Sequence, residues 1–474
     1  FFALASGQRK ARDGEFPILV YNPHPFRVAA MVECELQPPW PHRTAQFAQP
    51  EVFHNGRRIA AQAEKAHCNI NEDHRKRVVF SATLEPSRMN RFHCRLTMTA
   101  RKPLPSLKER NHAIRFRTAD LDVVINTRTG LVDRYRVRGV DYLDRNAFLP
   151  LVMLDDADPW AMRVTRFRTR AGKFRLMPRG AAARCSGIEN NKLPSVRVIE
   201  DGPVRSVVEA VLAYKGSFIC QRYKLPKRGT EIEVEVRAHW NEKDRMLKLS
   251  IPTLMPEASF PGQVAYGVAE LPKNGDEVVA QKWVAAICRE RDMAVTCINE
   301  GTYGADMAKG ELRLSLLRSP AHSGHPTAEG LPIVLQDRYS PRIDQGERLF
   351  RFWLNAGALA ERLRSVDREA LVRNEKPFAL TCYPSGEGKR PKPGPSLSDG
   401  AIQITTLKRA EDGRDLIIRL FEPTGRKRST ILSLPFVKAR AKVTLSPFEI
   451  KTLRYKTRSR RFSEVDLLER PVRR

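Results

Sequence analysis

The residues with the most capacity for chemistry gather in one run, Asp155-Asp156-Ala157-Asp158-Pro159-Trp160, where three carboxylates lie beside an indole ring that could stack on a sugar. Glycoside hydrolysis needs two carboxyl groups about 5–9.5 Å apart across the scissile bond. Aspartates ahead of a proline more often build a turn, so the run is read as part of a rim and not as a catalytic pair. Metal ligation has weaker candidates in His67-Cys68, His93-Cys94 and the pair His322 and His325. Neighbouring strand residues point to opposite faces, so each His-Cys dipeptide offers one ligand to a common site, short of the four that structural zinc takes. No metal ligand and no catalytic residue is assigned within the chain. Neither a GxGxxG turn opening a helix nor a GxxxxGK[ST] loop occurs, and HExxH and GxSxG are absent too. Dinucleotide, P-loop, zincin and α/β-hydrolase chemistry therefore have no support.

The elements that must position these residues are strands. Glu231-Ile232-Glu233-Val234-Glu235-Val236-Arg237-Ala238 alternates apolar and charged residues, which predicts an antiparallel strand with one wet side. Similar runs recur at 16–21, 114–118, 123–126, 204–213, 311–317, 349–354, 416–421 and 448–455, separated by Gly, Pro and Asp-Gly signals. Helical periodicity is best at 358–372, through Leu359, Leu363, Val366 and Leu371. Prolines at 103 and 105 end a first domain, and the Pro/Gly-rich run 383–396 reads as a linker. The chain is thus mostly β, with β-sandwich domains at 15–105, 106–375 and 376–456, the end of a truncated helical segment at 1–14 and a basic tail at 457–474. The central unit is large enough for a supersandwich.

The 474 residues allow two to four domains, and no apolar run approaches the roughly 18 residues of a membrane span. Eight thinly spread cysteines favour free thiols and a reducing cytoplasm. With 83 basic and 54 acidic residues the net charge is +29, which invites polyanions. Basic residues nevertheless alternate with acidic ones along the strands, and no RNA-recognition motif, zinc finger or helix-turn-helix accompanies them. A solvated basic surface is the expectation, with nucleic acid an unlikely partner.

Read in order, a series of blocks resembles the C-terminal β region of family 38 glycoside hydrolases, the α-mannosidases, particularly the bacterial members. The series begins with Val20-Tyr21-Asn22-Pro23-His24-Pro25-Phe26, then Asp122 to Gly130 with Tyr142-Leu143. It continues through Asp201-Gly202-Pro203-Val204-Arg205, Ser217, Gln221, Tyr223 and Leu225, and Trp240-Asn241-Glu242. Gln281-Lys282-Trp283-Val284, Asn299-Glu300-Gly301-Thr302-Tyr303-Gly304 and Leu314 to Pro320 follow, and Leu445-Ser446-Pro447-Phe448-Glu449 closes it. One departure is Arg348, where the family usually has a histidine after Asp344-Gln345-Gly346-Glu347.

The resemblance implies a large central galactose-mutarotase-like supersandwich between smaller sandwiches. It also implies a retaining, zinc-dependent hydrolase of terminal α-mannosidic bonds in mannose metabolism. Its nucleophile, acid/base carboxylate and Zn2+ ligands belong to an N-terminal barrel and helical domains, and no copy of those motifs occurs in this chain. The expected role is a scaffold, inactive alone, that lends side chains to the rim around a mannose-containing oligosaccharide. Asp156, Trp160 and Arg318 are the rim candidates, as polar or aromatic residues at segment ends. A homo-oligomer is possible, and a stand-alone carbohydrate-binding protein is the alternative.

Overall fold

A computed structural model describes residues 1–39, 46–66, 74–155, 164–188, 193–322 and 337–472. Every strand pairing in the named ladders is antiparallel, and the strands assemble into three layered units. In the first, a five-stranded sheet runs in the order Phe378–Thr381, Phe16–Asn22, Arg88–Thr99, Phe47–His54, Arg57–Ile59. It faces a three-stranded sheet of Val28–Leu36, Lys76–Leu84 and Ala61–Lys65 across a core that includes Ile18, Val20, Val32, Val78, Phe80 and Phe92. The edge strand Phe378–Thr381 comes from beyond residue 375, so the chain returns to the first unit after completing the second.

The second unit is the supersandwich. A ten-stranded sheet, from Arg175–Leu176 at one end to Gly267–Glu270 at the other, shares one apolar core with a five-stranded sheet over 109–141 and a six-stranded sheet. Alternation explains the strands: Ile232, Val234, Val236 and Ala238 are all inside this core. The opposite face of the same strand is not the wet side that its charges predict. Glu235 is 3% exposed because it lies in a cross-strand row of alternating charge, Arg197, Glu209, Arg222, Glu235, Arg351, each residue directly opposite the next on five adjacent strands. Against the burial that would raise it, Lys224, Arg222 and Arg351 hold the Glu235 carboxyl at about 2. Ionic pairing here replaces solvent.

The predicted helix is Leu359–Asn374, packed by Val366 and Ala370 on Trp283, Ala294, Ile298 and Trp353 of the ten-stranded sheet. Its N-cap, Ala358, has no side chain to cap with, and Asp292 from a neighbouring turn accepts the Leu359 N–H at 3.0 Å instead.

In the third unit, Ser396–Leu397, Arg428–Leu434 and Ala439–Leu445 face Gln403–Arg409, Leu416–Phe421, Ile450–Lys456 and Arg461–Val465. The last of these falls in the segment expected as a basic tail. Phe462 directly opposes Tyr455 and packs on its ring, which makes residues 461–465 an edge strand of the sheet.

The first two units are joined at Asp201-Gly202-Pro203-Val204-Arg205. Gln62 accepts the N–H groups of Val204 and Arg205 at 3.0 Å each, and the Arg205 guanidinium forks onto Glu64 at 2.7 and 2.6 Å. A Cβ on Gly202 would stand 2.4 Å from Gln62 Oε1, so the close approach requires glycine.

Candidate functional site

The six-stranded sheet runs in the order Arg170–Lys173, Leu149–Leu154, Arg245–Pro252, Glu311–Arg318, Gly304–Ala308, Val278–Val279. Register places Leu154 opposite Arg245 and Met246 opposite Arg318, so Asp155, Asp244 and Arg318 meet at one end of the sheet. The backbone ties them together: Asp155 N–H donates to Asp244 O at 3.1 Å, and Asp244 N–H to Ser319 O at 2.8 Å.

The turn that carries Asp244 is held from below. Ser217 Oγ donates to Glu242 at 2.9 Å and accepts the Asn241 N–H at 2.9 Å. The buried Trp240 indole donates to Ser319 Oγ at 3.1 Å. These contacts account for Ser217 and Trp240-Asn241-Glu242 as a sequence block.

Arg318 forks onto Asp155, with Nε and Nη2 donating to the two carboxylate oxygens at 3.0 and 2.6 Å. Its guanidinium lies 4.9 Å from the centre of the Phe167 ring, so the cation is fixed by charge on one side and by an aromatic face on the other. Beside it, Arg342 holds Asp244 at 2.7 and 3.2 Å. Lys243 Nζ sits 4.0 Å over Tyr339, a ring that is 77% exposed.

Beneath Phe167 lies a fully buried ammonium. Lys248 donates to Glu277 and Asp306, and Asp306 also accepts from Arg313 at 2.7 Å. Each carboxylate in this strip accepts a hydrogen bond from a basic side chain: Asp155 from Arg318, Asp244 from Arg342, and Glu277 and Asp306 from Lys248. The strip can hold and orient a polar ligand.

Of the rim candidates, Arg318 is at this sheet end, while Asp156 and Trp160 lie outside the described residues. Tyr339, Phe167, Lys243 and Arg342 were not singled out by sequence reasoning. The available signal was the loop aromatic Tyr339 among charges, which no local periodicity marks. Arg348, the departure from the family pattern, reaches Asp344 at 3.5 Å on the surface.

Among the histidines, His93 Nδ1 is 2.6 Å from Glu15, and Cys94 on the opposite face is in the core, its thiol pushed up by burial to about 12. His67, Cys68 and His325 lie outside the described residues. Among those described, no three His, Cys, Asp or Glu side chains form a group that could hold a metal ion. No helix among the described residues is long and apolar enough to cross a membrane.

Comparison with known proteins agrees with this architecture. The model of the glycosyl hydrolases family 38 C-terminal domain matches residues 170–328, and that of the family's C-terminal beta sandwich domain matches 401–474. Alpha-mannosidase G of Dictyostelium discoideum is 25% identical over 295 residues, 55% of this chain and 26% of that protein. Alpha-mannosidase 2C1 of Mus musculus is 26% identical over 266 residues, 47% of this chain and 23% of that protein. The chain therefore spans about a quarter of the length of these relatives. An alpha-mannosidase structure from Enterococcus faecalis V583 superposes on 94% of this chain and 56% of its own, with a TM-score of 0.65 at 14% identity. A family 38 structure from Enterococcus faecalis superposes with a TM-score of 0.67 over 94% of this chain and 58% of its own, also at 14% identity. Residues 170–328 and 401–474 thus match, in order, two C-terminal domain models of the family 38 glycosyl hydrolases, and the fold along nearly the whole chain is the one shared with the two Enterococcus faecalis structures.

Proposed function

We propose that this chain is the β-sandwich portion of an α-mannosidase that hydrolyses terminal α-mannosidic bonds of oligosaccharides in mannose metabolism, and that it is inactive without the rest of that protein. It serves as scaffold for an N-terminal barrel and helical domains and lends the Arg318 end of the six-stranded sheet to the substrate rim. The observation that carries the rim assignment is the pairing of a rigid guanidinium with an exposed ring. Arg318 is locked between Asp155 and Phe167, and Tyr339, with Lys243 over one face of its ring, is otherwise exposed. Sugar rings bind to such surfaces through one apolar face and hydroxyl groups bonded to fixed charges.

The Zn2+ of such an enzyme does not fit the described donor set, since His93 is committed to Glu15 and Cys94 faces the core. We assign the ion and the catalytic carboxylates to other parts of the full protein. A cytoplasmic location is supported by the free thiols of the seven described cysteines.

The test compares the isolated chain with the product of the complete reading frame on an aryl α-mannoside and a mannobiose. The isolated chain leaves both intact at any zinc concentration, and the complete product hydrolyses both. Tyr339→Ala in the complete product raises KM for mannobiose about 2- to 10-fold, the worth of one aromatic contact, and spares the fold because the ring is exposed. Turnover by the isolated chain would overturn the reading, and an unchanged KM would remove Tyr339 from the rim.

A further inference from the structure

At the junction of the supersandwich and the C-terminal sandwich, the hairpin of Pro261–Val264 and Gly267–Glu270 and the helix Leu359–Asn374 help enclose a cavity of about 310 Å³. Its walls are largely apolar, with Val268, Ile287, Leu363, Pro423 and the Phe448 ring among them. One carboxylate is set into these walls. Asp367 is 3% exposed, and its Oδ1 accepts both the Trp283 indole N–H and a Gln263 amide N–H, each at 2.9 Å. Its Oδ2 receives no hydrogen bond from the described residues, and no described cation pairs with it.

A second buried carboxylate at the junction shows the contrast. Glu422, from the C-terminal sandwich, accepts the backbone N–H groups of Thr424, Arg426 and Phe448 and a bond from Arg428. The protein supplies Glu422 with donors and a cation, and gives Asp367 two neutral donors on one oxygen only. Burial, aided by the charge of Glu422, pushes the Asp367 carboxyl up to about 6 against the Trp283 and Gln263 donors and the more distant Lys282. Of the other charged residues lining the cavity, Glu270 accepts the Phe260 N–H at 2.7 Å, and Arg289 is exposed on the wall.

We propose that this cavity binds a small organic cation, a protonated primary amine on a body of monosaccharide size, with its N–H groups on Asp367 Oδ2 and its carbon skeleton against Phe448 and Leu363. An ionised carboxylate in apolar surroundings is costly while it stays unpaired, and an ammonium supplies both the charge and the donors that the fold withholds. A neutral polyol supplies donors without charge, and an anion meets Asp367 and Glu270 on the wall, with Arg289 as the one lining cation. The volume lies at the lower end of small-ligand sites, which suits one ring rather than an oligosaccharide. The site is independent of the rim at Arg318, and its occupancy would clamp two units together.

The test is calorimetric titration of the 474-residue chain at pH 7.0 with glucosamine as probe and glucose as the neutral control, together with thermal melts. Glucosamine is expected to bind at least tenfold more tightly than glucose and to raise Tm in proportion to its concentration. Asp367→Asn keeps the Oδ1 acceptor for Trp283 and Gln263 and abolishes the preference. Leu363→Trp fills the cavity without altering Asp367 and blocks both sugars, which keeps the test decisive if the first variant fails to fold. Equal affinity for the two sugars, no binding of glucosamine, or glucosamine binding that survives either substitution would overturn the proposal.

Discussion

Replacing Arg205 tests how the first sandwich is fastened to the supersandwich. Its side chain is 1% exposed and forks onto Glu64, itself 5% exposed, with a further bond to Glu33 at 2.6 Å. Deleting one member of a buried ion pair costs about 3–5 kcal/mol, mostly the penalty of the charge left behind. Here Glu64 keeps one donor, the Gln62 amide at 2.9 Å, and Glu33 is one-third exposed and rehydrates, so Arg205→Ala should cost about 3 kcal/mol. Arg205→Lys keeps the charge and loses the fork, for about 1–2 kcal/mol. The double change Arg205→Met with Glu64→Leu removes the stranded charge and should return most of the stability. Urea denaturation followed by far-ultraviolet circular dichroism reads all three. The pH dependence adds a signed check. Against burial, which acts to raise it, Arg205 holds the Glu33 carboxyl at about 2, below the ordinary 4.5. A depressed carboxyl pKa stabilises the fold above its unfolded value and loses that contribution as the acid form takes over. The gap between wild type and Arg205→Ala should therefore narrow as pH falls from about 4.5 towards 2. A cost below about 1 kcal/mol for Arg205→Ala, or a double variant no better than the single one, would refute the account.

Gly310→Ala should cost about 2–4 kcal/mol in the same assay, because φ is +76° and the new Cβ would lie 2.5 Å from the Met255 carbonyl oxygen; a loss under about 0.5 kcal/mol would show that this turn yields freely. Asp367→Asn should gain on the wild type as pH climbs from about 3.8 to about 6, by roughly 2–3 kcal/mol, since a carboxyl raised from 3.8 to about 6 favours the fold only while protonated. Parallel denaturation curves for the two proteins across that window would remove the buried acid from the argument.

Local pattern made much of this fold legible. Period-two runs found the cores of the strands Leu416–Phe421 and Glu311–Arg318 and the helical spacing found Leu359–Asn374 to within two residues, because each of these buries one face and leaves its period in the chain. Long-range pairing left no such trace. Phe378–Thr381 is a short edge strand whose partner, Phe16–Asn22, lies more than 350 residues earlier, and Arg461–Val465 reads as a tail because exposed Arg461 follows the exposed Arg458 and Arg460 directly. The same limit applies at the candidate site. Arg318 stands out as a charge ending an apolar strand, whereas its partners Asp155 and Phe167 come from segments about 150 residues away. The family blocks carry a different signal. Gly202, Arg205, Ser217 and Trp240 mark places where two units or two strands are locked together, and such contacts demand particular residues where most core positions accept several.

That distinction bears on the charge of +29. The row Arg197, Glu209, Arg222, Glu235, Arg351 begins and ends with a cation, so each of its two carboxylates is flanked on both sides and the row carries a net positive charge. Glu300 repeats the arrangement between Arg351 and Lys376, at 2.9 and 2.6 Å, and Glu15 between Arg9 and Arg91, at 2.9 Å each. A half-buried carboxylate with two oxygens is best satisfied by two donors from separate side chains. Sheets that cover a face with such rows consume more basic than acidic residues for a reason internal to the fold. A basic excess built this way is held in fixed geometry against carboxylates and has little freedom to follow a phosphate backbone, which binds through mobile, unpaired cations. The composition that first invites polyanions is thus, in these rows, the cost of covering a wide β-sheet without water.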